Sequence, residues 1–283
     1  MNIIGFGTAG CKIAYLFEKY SQYNVYYADV GISGLSTFTL PKAKTMEEAE
    51  NKVPKFKELK KMKGEVLFVC AGSGKTSGAI LAFLEQIKHL EITLLYIQPD
   101  KNLLNKMSST REKVVFNVLQ QFARSGLFKK IFLFNNLEMS KILDNLSISE
   151  YFNRINATIV SAVHMLNYFK NAEPVVQSVS DPVETNRIAT IGLYDMEKEE
   201  EKYFFDIENI REKNFYFAFN KETLNNEYNL LNKISEKIKN SRQSEFTDVS
   251  YNITETTYEQ NFAYIEAYTN FVQGEKMVDN APE

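Results

Sequence analysis

One segment constrains the fold of this chain more than any other, the run EVLFVCAGSGKTSG at residues 65–78. Its apolar first half is typical of a buried strand, and its second half holds three glycines and three hydroxyl residues before a helical pattern begins. Because such a loop leaves backbone N–H groups uncovered at the start of a helix, it is suited to hold a phosphate group. A second loop of this kind, at residues 5–10, follows the first apolar run. Two such junctions in one chain predict a nucleotide held between them.

Length and composition set the broad class. The 283 residues, 44% of them hydrophobic, suffice for one large or two medium domains with substantial cores. The net charge of −3 gives no reason to expect contact with nucleic acid, and the lysine-rich stretch at residues 55–63 is typical of solvated surface. Two cysteines, Cys11 and Cys70, are too few for a disulfide framework and are typical of a reducing compartment. Since no apolar run reaches about 18–20 residues, we expect a cytoplasmic protein without a membrane segment, and no metal-ligand cluster is expected.

The first half of the chain alternates apolar runs of strand length with helical patterns. These runs lie at residues 2–5, 25–28, 65–70, 92–97 and 130–134. The alternation predicts an α/β domain built on a parallel sheet, whose ligands lie beyond the carboxyl ends of the strands. Residues 109–112 (Ser-Thr-Arg-Glu) have the capping-box pattern of a helix start, and Gly126 is placed to end that helix.

The second half has a different pattern. Residues 147–150 (Ser-Ile-Ser-Glu) predict the start of a long helix that runs through Phe169. After it, one helix is predicted at residues 222–239 among strands at residues 188–194, 203–207, 215–219, 250–254 and 262–268. We therefore expect a parallel-sheet nucleotide-binding domain (residues 1–146), a long central helix (147–171) and a smaller α+β domain (172–283).

Taken singly, the two glycine loops admit several interpretations. The pattern G-x-G-x-x-G at residues 5–10, with Asp29 about 20 residues later, is compatible with a dinucleotide site or with a tight turn that binds nothing. The sequence Gly-Lys-Thr at residues 74–76 matches the end of a P-loop, but Val69 stands where that motif requires its first glycine.

Taken together, the loops resemble those of the tubulin/FtsZ superfamily. Residues 7–13 (GTAGCKI) are similar to its first nucleotide loop, in particular the tubulin form GQxGxQI. Residues 72–78 (GSGKTSG) are similar to its signature GGGTG[ST]G and depart from it at Ser73, Lys75 and Thr76. Arg111, Asn135, Asn156 and the D-x-x-E of residues 181–184 follow in the family's order. Over residues 1–190 the chain resembles a divergent member of the phage or plasmid type.

The resemblance implies a cytoskeletal protein that binds GTP or GDP, with Mg²⁺ as a candidate companion, and polymerises head to tail with itself. Asp181 and Glu184 would then be catalytic acids that act on the nucleotide of the next subunit. The implied nucleotide-binding residues are Gly7, Thr8, Gly10, Cys11, Gly72, Ser73, Gly74, Lys75, Thr76, Ser77, Gly78, Arg111, Asn135 and Asn156.

Departures from the family pattern leave alternatives open. Lys75 places a long cation in a loop of small residues, and residues 45–63 are charged where the family has a glycine-rich loop for the γ-phosphate. The helix after the acidic loop is expected to be short, over residues 182–187. A self-assembling GTPase is the first hypothesis, and a tubulin-fold structural module that does not hydrolyse GTP is the alternative. A dinucleotide-binding oxidoreductase is a third, for which no catalytic His, Lys or Tyr set is evident.

Overall fold

The computed structural model describes residues 1–242 and 244–274, and its elements are as follows. The strands are β1 (Asn2–Phe6), β2 (Asn24–Val30), β3 (Thr37–Leu40), β4 (Glu65–Ala71), β5 (Glu91–Gln98), β6 (Lys130–Asn135), β7 (Val176–Gln177), β8 (Ile188–Asp195), β9 (Glu200–Tyr203), β10 (Glu212–Asn220), β11 (Asp248–Thr256) and β12 (Phe262–Thr269). The α-helices are α1 (Gly7–Tyr15), α2 (Met46–Asn51), α3 (Ile80–Leu84), α4 (Lys106–Arg124), α5 (Asn136–Leu143), α6 (Tyr151–Asn171), α7 (Lys221–Asn226) and α8 (Leu230–Asn240).

The strands of the described residues form one sheet in the order β3-β2-β1-β4-β5-β6-β8-β12-β10-β11-β7, with β9 paired to β8. From β3 to β6 every pairing is parallel, and β6 also pairs in parallel with β8. Beyond β8 the sheet becomes mixed, since β12 is antiparallel to both β8 and β10. The expected α/β class, with a parallel first half and an α+β second half, is confirmed.

Apolar clusters cover both faces of the parallel half, as a parallel sheet requires. One face carries an aromatic cluster of Phe6, Phe38, Phe68 and Phe83 under α2 and α3. The other face carries α1 and the long helix α6, whose apolar stripe is buried as its spacing predicts. A third cluster packs α8 against β10 and β8. In the described part of the chain, no helix is long and apolar enough to span a membrane.

Four local predictions are wrong. Helix α4 begins at Lys106, because Asn105 caps it by accepting a hydrogen bond from Ser108 N–H (2.9 Å), so Arg111 lies inside the helix. The helix predicted at residues 222–239 is divided into α7 and α8, with Asn229 in the left-handed region (φ 64°) between them.

The other two errors concern strand and loop. A strand was predicted at residues 203–207, but the strand found in this region, β9, ends at Tyr203. No helix follows the acidic loop, because residues 182–187 form only a turn before β8 begins. The short strands β3 and β7 were not predicted, since four and two residues carry too little of a period-two pattern.

Candidate functional site

Both glycine loops lie at the carboxyl end of the parallel sheet, which is where ligands bind in such folds. Strands β1, β4, β5 and β6 are consecutive neighbours and end at Phe6, Ala71, Gln98 and Asn135. Most of the predicted nucleotide-binding residues stand directly after one of these four ends. The topology therefore brings them to one rim of the sheet.

The first loop turns sharply from β1 into α1. Gly7 has a φ of +68°, which a side chain would strain, and a Cβ on Gly10 would lie 2.2 Å from the carbonyl oxygen of Val69 in β4. Hence Gly10 is what allows α1 to start against the neighbouring strand. No side chain caps α1, so the N–H groups of its first turn have no helical acceptor and face the rim.

Thr8 and Cys11 make contacts within this first loop. Thr8 Oγ1 donates to Asp29 Oδ2 at the end of β2 (2.9 Å), and Cys11 Sγ donates to Gly5 O (3.3 Å). Burial, with the Asp29 carboxylate, raises the pKa of the Cys11 thiol to about 11. The thiol is therefore protonated and joins α1 to β1.

The second loop is closed from within by Ser77. Its buried hydroxyl lies within hydrogen-bond distance of the carbonyl oxygens of Gly72 (2.9 Å) and Gly74 (2.6 Å). The carbonyl groups are thereby turned inward, and the N–H groups of Ser73 and Gly74 donate no hydrogen bond within the described residues. A Cβ on Gly74 would meet nothing within 4 Å, so the outer side of the loop is open. The loop thus fits an anion on that side.

Other small residues of the second loop are required by packing. A Cβ on Gly78 would lie 2.3 Å from the carbonyl oxygen of Met46, where α2 begins. Lys75 is exposed and lines, with Thr76 and Lys42, a separate cavity of about 280 Å³ beside β3.

Helix α4 connects this loop to the next two strands. Arg111 Nε donates to Ser73 O (2.9 Å), and its neighbour Glu112 is buried against Tyr96 and Gln98. The Tyr96 hydroxyl (3.2 Å) and Gln98 Nε2 (3.1 Å) both donate to Glu112 Oε1. A Cβ on Gly72 would lie only 2.3 Å from the Tyr96 oxygen. The second loop therefore rests on a buried polar network.

That network reaches Asn135. Its Nδ2 donates to Gln98 Oε1 (2.6 Å), while its Oδ1 caps α5 by accepting from Leu137 N–H (2.9 Å) and Glu138 N–H (3.2 Å). Asn156 is half-buried on the second turn of α6 and makes no side-chain hydrogen bond within the described residues. Helix α6 begins near the same rim, since the Tyr151 hydroxyl donates to Asn136 O (3.3 Å).

The two acidic residues lie at the opposite, amino end of the sheet. Asp181 lines a cleft with Glu65, Glu91 and Lys129, which stand at the starts of β4 and β5 and just before β6. Glu184 is 95% exposed and lies 3.9 Å from Arg187 Nη2. The structure therefore does not bring Asp181 and Glu184 near the glycine loops of the same chain.

This cleft, about 540 Å³ in volume, lies between α6 and the sheet and contains a charged cluster. Fully buried Glu266 of β12 pairs with Lys170 of α6 (2.5 Å) and accepts hydrogen bonds from the hydroxyls of Tyr216 (3.0 Å) and Tyr268 (2.5 Å). Burial opposes the Glu266 charge, but Lys170 and Lys130 outweigh it and lower the carboxyl pKa to about 2. Burial, with Lys170, lowers the pKa of Lys130 to about 8.

Solved structures share the fold of this chain. An empty FtsZ dimer from M. jannaschii superposes with a TM-score of 0.68 at 13% identity, over 95% of this chain and 87% of that one. A GTPγS-form protofilament of TubZ from Bacillus thuringiensis serovar israelensis gives 0.69 at 14% identity, over 96% and 87%. CetZ2 from Haloferax volcanii, in a GTPγS-bound protofilament, gives 0.66 at 14%, over 94% and 92%.

This chain has the tubulin/FtsZ-like fold. No protein-family model matches the sequence, and no curated protein does so either. The resemblance inferred from two loops and a few ordered residues is thus confirmed at the level of the fold.

The sequence analysis did not predict the buried polar network that packs against the second glycine loop. Gln98, Tyr96 and Glu112 were not predicted to contribute. A signal was available for Glu112, because it lies three and seven residues before Val115 and Leu119 on the apolar face of α4. A carboxylate on a buried helix face indicates a polar network.

Proposed function

We propose that this chain is a tubulin-like cytoskeletal protein that binds GTP or GDP at the carboxyl end of its sheet, polymerises head to tail and hydrolyses GTP at subunit contacts. One observation carries the proposal: the glycine loops and the acidic residues Asp181 and Glu184 lie at opposite ends of one sheet. Stacking the amino end of one subunit on the carboxyl end of the next would join them. The protofilaments named for TubZ and CetZ2, both with GTPγS, support this arrangement.

In this proposal the open backbone N–H groups of both loops hold the phosphates. Arg111 and Ser77 hold the second loop in shape, and Asn135 and Asn156 face the sugar and base. The bound nucleotide supplies the phosphoanhydride bond that is cleaved. Asp181 and Glu184 of the next subunit orient a water molecule and accept its proton, a task for which carboxylates are suited. The division at residues 146 and 171 into nucleotide-binding domain, central helix and α+β activation-type domain is part of this proposal.

The test compares the double variant D181N/E184Q with the control E197Q/E222Q, which neutralises two exposed carboxylates in the second half of the chain. We expect GTP turnover in the D181N/E184Q protein to fall by about 100-fold, the scale of general acid–base catalysis. Nucleotide affinity should be retained, since the acids lie far from the loops. Turnover equal to that of the control would place catalysis elsewhere.

The binding and assembly steps are tested separately. The unsubstituted protein should bind GTP at micromolar concentrations and pellet with GTPγS, and failure of both contradicts the proposal.

A tubulin-fold module that does not hydrolyse GTP is the second candidate. It is favoured by the exposed Glu184, which faces Arg187, and by the loop that enters β8 without an intervening helix. A hydrolysis rate that rises steeply with protein concentration would exclude this candidate.

A further inference from the structure

A lysine-rich segment connects α2 to β4, and we refer to residues 52–63 as the basic strap. It contains six lysines and one glutamate in a chain whose net charge is −3. All six lysines are exposed. Helix α2 begins against Gly78 of the second loop, and β4 begins at the amino end of the sheet, so the strap runs the length of the parallel half on one face.

The backbone of the strap is held in place by its apolar residues. Leu59 is fully buried, and the Phe56 ring packs against Phe38 (5.1 Å between ring centroids) and Phe83 (5.8 Å). Phe56 N–H donates to Gln86 Oε1, and Gln86 Nε2 donates to Pro54 O, each over 2.9 Å. The lysines therefore project from a fixed backbone, which a partner does not have to order.

Most of this charge is not neutralised by ion pairs with other described residues. Lys52 pairs with Glu48 (2.5 Å), whereas the five other lysines of the strap form no ion pair within residues 1–242 and 244–274. These five are Lys55, Lys57, Lys60, Lys61 and Lys63. Five unpaired ammonium groups within nine residues create a local positive field despite the negative net charge.

We propose that the basic strap binds the phosphate backbone of double-stranded nucleic acid without sequence preference. Exposed lysines attract the phosphates of a duplex, and such contacts carry affinity without reading bases. The aromatic residue of the strap, Phe56, packs against Phe38 and Phe83 instead of standing free among the lysines, which disfavours stacking of single-stranded bases.

The same inward packing argues against two other kinds of partner, a membrane surface and another protein. Binding to a membrane surface would use exposed apolar side chains to insert among the lipids, and Val53, Phe56 and Met62 are turned inward. Protein interfaces are depleted in lysine and anchored by aromatic or arginine side chains, which the strap does not expose.

The experiment measures fluorescence anisotropy of a labelled mixed-sequence duplex of about 20 bp, titrated with the full chain without nucleotide. Affinity should fall steeply between about 50 and 200 mM salt, with a slope of log K against log[salt] of up to about −4.5 for five phosphate contacts. The variant K55Q/K57Q/K60Q should bind at least tenfold more weakly at the lower salt concentration, and its slope should be reduced by about 2.7.

The matched control is K198Q/K221Q/K239Q, which removes the same charge from exposed lysines in the second half of the chain. Its affinity should stay within twofold of that of the unsubstituted chain. Equal weakening in both variants would overturn the proposal, because only net charge would then matter. It would also be overturned if the strap bound a single strand, or vesicles of equal parts phosphatidylserine and phosphatidylcholine, more tightly than the duplex. The strap holds none of the candidate nucleotide-binding residues, so GTP binding and duplex binding can fail independently.

Discussion

The two ends of the parallel sheet are built from different kinds of residue. The carboxyl end consists of bare backbone, small residues and a buried polar network in which Gln98 connects Glu112 to Asn135. The amino end has a cleft whose centre is ionic, because Glu266 pairs with Lys170 and the charge of Lys130 also lowers the pKa of Glu266. The first arrangement suits recognition of an anion by N–H groups, and the second ties the long helix α6 to the second half of the sheet. The carboxyl end therefore leaves backbone N–H groups open, and the amino end joins α6 to β12 through an ion pair.

The largest expected effect is in the ionic cluster. Glu266→Gln leaves Lys170 without its buried partner and removes a charge that favours the ammonium form of Lys130. Removal of one member of a buried pair costs about 3–5 kcal/mol. We expect the lower end of this range, because Lys170 is 38% exposed. Urea unfolding measures the change. Glu91→Gln, at the exposed rim of the same cleft, is the control and should change stability by less than about 1 kcal/mol.

The same variant has a pH signature. The pKa of Glu266 is lowered from its ordinary 4.5 to about 2 in the folded chain. Its stabilisation is therefore complete above pH 4.5 and is lost as pH falls through that value toward 2. The Glu266→Gln protein should lose less stability over this window. An equal loss in both proteins would mean that the carboxylate is not held by its lysines.

At the carboxyl end, stability should depend on the room available for a side chain, and Gly10 and Gly74 differ in this respect. Gly10→Ala would place a Cβ 2.2 Å from Val69 O, whereas a Cβ at Gly74 meets nothing within 4 Å. Overpacking of this kind costs about 1–3 kcal/mol. Gly10→Ala should thus destabilise the fold, while Gly74→Ala should leave urea unfolding nearly unchanged and weaken only nucleotide binding. Similar stability losses in both variants would contradict the packing argument.

How well each end could be predicted depends on the sequence distance between its parts. The glycine loops are local, so strand, turn and helix start can be recognised from adjacent residues such as Gly72 and Gly74. The α/β order was predicted for the same reason. The ionic cluster joins residues 130, 170 and 266, and no spacing rule connects them before the fold is known. The start of α4 was misplaced because the sequence offers both Asn105 and Ser109 as caps, and only the structure shows that Asn105 accepts the capping hydrogen bond.

The smallest expected change in stability concerns Lys130, whose charge destabilises the folded chain whereas that of Glu266 stabilises it. Burial lowers the pKa of Lys130 from its ordinary 10.5 to about 8, so below pH 8 the folded chain carries this charge at a cost. Four charged groups affect it: Lys170 and Lys129 disfavour its charge, while Glu266 and Asp181 favour it. Between pH 8 and 10.5 the unfolded chain binds more protons, so the free energy of unfolding should rise with pH.

Lys130→Met should remove that rise and increase stability near neutral pH by about 1 kcal/mol, since apolar replacement of a buried charge is often stabilising. Urea unfolding of both proteins at several pH values measures each effect. If Lys130→Met instead destabilises the chain as much as Glu266→Gln does, the cluster depends on all three charges. Lys130 would then be a structural partner of Glu266.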